Sequence, residues 1–110
     1  MYLPKTDVYN SLKALPCFVA QTKPAVFTDL PAVIFSVGNN AITTDLDGAI
    51  SSQDIEIQVD IWAEDSVTAS SVLSQVEEIM RSNQYIMSFS NDVPNAGNLL
   101  HVVNRFSKQV

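Results

Sequence analysis

Apolar residues recur with two different periods along this chain, and the switch between them outlines most of the fold. From Asp54 to Ala63 (DIEIQVDIWA), Ile55, Ile57, Val59 and Ile61 alternate with Glu56, Gln58, Asp60 and Trp62. Strict period-two alternation predicts a strand with one dry face and one acidic, polar face that ends in a tryptophan. The period then changes. Glu64, Asp65 and Ser66 supply a cap and first-turn acids, and Ala69, Val72, Leu73, Val76, Ile79 and Met80 fall on one face of a helix over Ser66–Ser82. Arg81 suits the negative end of that helix, and Asn83 suits a left-handed cap.

The flanks read more weakly. Thr6 as N-cap, Asp7 in the first turn and Val8, Leu12 and Leu15 at i, i+4, i+7 predict a short helix over Asp7–Ala14, stopped by Pro16. Cys17–Gln21 reads as a short strand, followed after Pro24 by a loop through Asp29. Ala32–Val37 (AVIFSV) is apolar enough for a strand buried on both faces, closed by Gly38-Asn39-Asn40. Asn39–Ser52 is polar and lacks a period; with a turn signal at Asp47-Gly48 it reads as a long loop, of a length that has a job or is disordered before binding. Tyr85–Ser90 and Leu99–Lys108 read as strands of an antiparallel hairpin, separated by turn residues from Asn91 to Asn98. The expected fold is α+β: one mainly antiparallel sheet of about five short strands, with two helices packed on one face, in a single domain over residues 1–110.

Charge adds a second pattern. The chain has 6 Lys and Arg against 12 Asp and Glu, a net charge of −6. No Lys or Arg occurs between Lys23 and Arg81, a stretch that holds ten of the twelve acids. The middle is therefore −10, and the two ends, with six bases plus Asp7 and Asp92, sum to +4. This balance argues against a protein that grips nucleic acid through its phosphates. One cysteine excludes an internal disulfide, and one cysteine with one histidine cannot build a Cys/His zinc site. No apolar run approaches the roughly 18 residues of a membrane span, and the opening MYLPKTDVYN does not read as a signal peptide.

Candidate chemistry is sparse. His101 reads as an ordinary strand residue and Cys17 as a small core hydrophobe. Glu77 and Glu78 are adjacent on a helix, so they point about 100° apart and do not converge. Glu56 and Asp60 share a strand face across Gln58, but cages for hard cations recruit more oxygens than two carboxylates. Three glycines, none spaced as GxGxxG or GxxxxGK, exclude the common nucleotide loops. No catalytic, cofactor-binding or metal-binding residue is assigned, and the expectation is a protein that is not an enzyme and carries no cofactor. Trp62 leaves two readings open: packing beneath the start of the following helix, or an exposed anchor at an interface, where Trp is enriched.

Several of these segments together resemble a known family. Ile55–Trp62 (IEIQVDIW), the acidic cap Ala63-Glu64-Asp65-Ser66 and a helix ending Val76-Glu77-Glu78-Ile79-Met80 resemble the tail completion, or tail-to-head joining, proteins of long-tailed bacteriophages. So do the short opening helix, the step Leu30-Pro31-Ala32-Val33-Ile34-Phe35 into an apolar strand, and the final strand His101–Phe106. The resemblance implies a viral structural adaptor without enzymatic residues. Such a protein forms a ring, usually hexameric, at the head-proximal end of the tail. Its partners would be copies of itself, the tail tube protein and the head-completion or connector protein. DNA would pass through without specific binding, and no membrane is involved. The location would be the head–tail junction of the virion, and the host cytoplasm during assembly. Interface candidates are Trp62, Glu56, Asp60 and Glu64; Asp45, Asp47 and Asp54 are candidates for a channel-facing loop that repels phosphate. The alternative is a non-viral acidic α+β interaction or oligomerisation module whose acidic strand face meets a basic partner.

Overall fold

A computed structural model describes residues 3–15, 17–21, 30–93 and 99–110. The chain runs α1 (Pro4–Leu12), β1 (Phe18–Ala20), β2 (Ala32–Thr44), β3 (Ile50–Ala63), α2 (Ser66–Ser82), β4 (Ile86–Val93) and β5 (Leu100–Gln109). The expected helix stop at Pro16, the loop from Pro24 to Asp29 and the turn residues Pro94–Asn98 lie outside the described residues. One sheet has the order β1-β2-β3-β5-β4. Among the described strands only β1 and β2 run parallel; the other pairs are antiparallel. The α+β class and the mainly antiparallel sheet are as the alternation predicts.

Period two in β3 decides which face is dry. Ile55, Ile57, Val59 and Ile61 are buried together with Val33 and Phe35 of β2 and Phe106 of β5. Both helices close this face. Val8 and Leu12 come from α1, and Ala69, Val72, Val76 and Met80 from the apolar stripe of α2. Each large aliphatic side chain buried here contributes about 1.5–3 kcal/mol. The α2 boundaries match the expectation because the caps are strong. Asp65 accepts a hydrogen bond from the Thr68 backbone N–H at 2.7 Å, and the Asn83 side chain donates to the Ile79 carbonyl at 2.8 Å. The left-handed residue is Gln84 (φ 67°), however, and not Asn83 (φ −96°): the Asn83 side chain acts as the cap one residue earlier.

Three boundaries differ for physical reasons. First, α1 starts at Pro4 with Leu3 as a cap that makes no side-chain hydrogen bond. Proline at the first helical position has a preset φ and no N–H to leave unpaired, so the helix begins before Thr6, which lies inside it. Second, β4 runs on to Val93, so Asn91 and Asp92 are strand residues held by pairing with Val103 and Val102. Third, Asn39–Ser52 is not a loop. β2 continues to Thr44 and β3 begins at Ile50, pairing from Asn39↔Glu56 to Thr44↔Ile50. The two strands, at 13 and 14 residues, are long rather than short.

The extra length projects. Every residue from Gly38 to Ser51 is exposed. The molecule measures 53 × 25 × 21 Å with a radius of gyration of 15.1 Å, against about 13 Å for a compact domain of this length. We call residues 39–52 the arm. Its tip is closed by Asp45, whose carboxylate accepts the backbone N–H groups of Asp47 (2.9 Å) and Ala49 (3.0 Å). Gly48 donates to the Asp45 carbonyl at 3.1 Å and holds φ +83°, a conformation that favours glycine. At the base of the arm a register shift falls at Gly38, and buried Gln53 donates to Asn40 Oδ1 at 3.1 Å.

Candidate functional site

Two surfaces concentrate the features singled out in the sequence. The first is the sheet face opposite the helices. Alternation brings Glu56, Gln58, Asp60 and Trp62 of β3 to it, and register places Ser107, Arg105, Val103 and His101 of β5 beside them in turn. No described helix lies on this face. At one end Trp62 packs with Ala32 and Ile34 of β2, and against Ala20, Leu30 and Leu99. The Trp62 and His101 rings are stacked, with centroids 3.8 Å apart and planes at 12°. His101 Nε2 lies 3.2 Å from Asp60 Oδ2, but the alignment is too poor for a hydrogen bond, and that nitrogen is buried with no hydrogen-bond partner among the described residues. Asp60 Oδ1 accepts instead from Gln58 Nε2 at 3.1 Å.

This geometry corrects the expectation for Trp62. At 6% exposure it is not an exposed anchor. Nor does it lie beneath the start of α2, because its side chain leaves the sheet on the face away from the helices. Alternation fixed its face; the aromatic partner came from a distant strand through register. Of the other interface candidates, Glu56 and Asp60 are half-buried on the helix-free face, while Glu64 is exposed in the turn before α2. The structure therefore brings together Trp62, Asp60 and Glu56, and leaves Glu64 apart.

The arm is the second surface. Asp45 and Asp47 sit at its tip, and Asp54 sits in β3, opposite Ala41 and Gln109. They do not form one loop as expected, and the Asp45 carboxylate is committed to closing the turn. Ile42, Leu46 and Ile50 are exposed on the arm, Leu46 completely. The arm carries no Lys or Arg.

An acidic and a basic segment, far apart along the chain, are neighbours in the sheet. β5, from the basic C-terminal end, lies against acidic β3, so Arg105 faces Gln58 and Lys108 faces Ile55. The acids of α2 are spread over solvent, with Glu77 and Arg81 in an exposed ion pair at 3.7 Å, an arrangement worth about 0–1 kcal/mol. Burial pushes the Cys17 thiol above its ordinary value, which suits its packing against the core and not thiolate chemistry. Among the described residues no three His, Cys, Asp or Glu converge in a way that could hold a metal ion. The alternation missed one residue that matters. Asn104 occupies an apolar position of β5, is fully buried, donates to the Val59 carbonyl at 3.2 Å and accepts from Ser90 Oγ at 2.6 Å. A lone Asn in an apolar register was the available signal. No protein-family model matches this sequence, and no curated protein matches it.

Proposed function

We propose that this chain is a structural adaptor of a phage tail. In this reading it forms a ring at the head-proximal end, joins the tail tube to the head connector and lets DNA pass. The observation that carries the reading is the arm. A hairpin that projects from its domain and exposes Ile42, Leu46 and Ile50 contributes little to its own chain's core. Apolar side chains held out in this way are features of a surface that is covered on assembly. The resemblance of Ile55–Trp62 and its flanks to tail completion proteins gives that assembly its identity. Of the channel-facing candidates, Asp54 is exposed at the base of the arm, where its carboxylate would repel DNA phosphates if that end of the molecule lines the passage.

Negative-stain microscopy of the purified protein, alone and with phage tail tubes, tests the reading. Rings, or caps on tube ends, are expected. A monomer that leaves every tube end bare contradicts it.

A further inference from the structure

We propose that the arm tip of one copy docks on the β4 edge of a second copy of this chain. This deepens the ring reading and rests on it. β4 is a terminal strand of the sheet and all but one of its residues are exposed. On the helix-free side it presents Ile86, Phe89 and Val93, each well exposed. The Arg105 guanidinium lies over the Phe89 ring, 5.1 Å from its centroid, and no described carboxylate pairs with it. This edge is thus an apolar strip with a positive charge held on it.

The arm tip is its complement: Ile42, Leu46 and Ile50 with Asp47 and no base. Apolar side chains would cover the strip, and the Asp47 carboxylate would meet Arg105, an attraction that gives register and specificity more than affinity. The arm cannot serve its own β4. Ile86 pairs with Ser107 near the base of the arm, and the arm runs out along the β2 and β3 axis with β5 between it and β4. Each copy therefore has one donor and one acceptor at different places. Such heterologous contacts extend from copy to copy and close into a ring when the rotation allows.

Cysteine trapping tests the contact. In a Cys17→Ser background, one chain carries Leu46→Cys with Ile86→Cys, and another Leu46→Cys with Val93→Cys. Each is used only if its thermal transition matches the parent, and is oxidised with copper phenanthroline, alone and on tail tubes. A ladder of dimers, trimers and larger species from either pair is expected, whereas single-cysteine variants stop at dimers. Adding Arg105→Glu lowers ladder yield roughly tenfold, and adding Asp47→Lys to it restores the yield. Absence of a ladder from both pairs overturns the docking. If tube caps still form, the ring reading survives with another interface; if they do not, both fail. A ladder without caps supports the docking and counts against the adaptor.

Discussion

The two ends of the β2–β3 hairpin are built from the same two strands but are stabilised differently. At the packed end, Val33 and Phe35 face Ile57, Val59 and Ile61 under two helices, and nearly every side chain on that face is buried. At the arm end the backbone ladder continues, yet the side chains are small, polar or exposed, and the turn is closed by Asp45 and Gly48. Buried Gln53 marks the border: its side chain ties to Asn40, and its backbone exchanges two hydrogen bonds of 2.8 Å with Val110. The contrast teaches that one continuous hairpin can hold a buried half and a projecting half. Apolar burial secures the first, while turn chemistry and cross-strand pairing maintain the second.

The contrast can be broken or sharpened by substitution. The largest effect belongs to Val59→Asp, which places a charge in the fully buried face. A loss of about 4 kcal/mol or more is expected, a large part of the roughly 5–15 kcal/mol that holds a domain together. Circular dichroism would show an unfolded or barely folded protein, and a normal melting curve would contradict the packed-end account. Asn104→Ala comes next. It removes the fully buried amide and its bonds to the Val59 carbonyl and the Ser90 hydroxyl, and is expected to cost about 1–3 kcal/mol in urea unfolding, with an unchanged m-value.

Asp65 gives a smaller, pH-dependent effect. The Thr68 backbone N–H holds its carboxyl below its ordinary value. A lowered folded pKa gives stability that is present above the unfolded pKa and lost as pH falls through the folded one. Asp65→Ala is thus expected to melt lower than the parent at pH 7, with the two curves converging below about pH 4. Smallest for the packed end is Gly48→Val, which forces a β-branched residue to φ +83°. Amide hydrogen exchange should quicken over residues 41–52 and stay unchanged in β3 beyond Ile55.

This difference also explains what the sequence alone made legible. α2 and the buried half of β3 were readable because burial imposes a period, 3.6 residues for one and two for the other. Asn39–Ser52 reads as a loop in sequence for the converse reason. No face of the arm is buried, so no apolar period marks it, and Asp47-Gly48 looked like a turn inside a loop when it closes a hairpin. The Trp62–His101–Asp60 grouping depends on the register between β3 and β5, which local pattern does not encode. The same pairing is not legible from charge along the chain: β3 of the acidic middle and β5 of the basic C-terminal end, far apart in sequence, are neighbours in the sheet.

The central claim is that the arm serves assembly and not folding. The most direct measurement compares the parent with a variant in which an Asn-Gly turn joins Ile42 to Gln53. Melting temperature and capping of tail tubes are read on the same samples. The account predicts an unchanged melting temperature and bare tube ends. A variant that caps tubes as the parent does, or one that no longer folds, would contradict it.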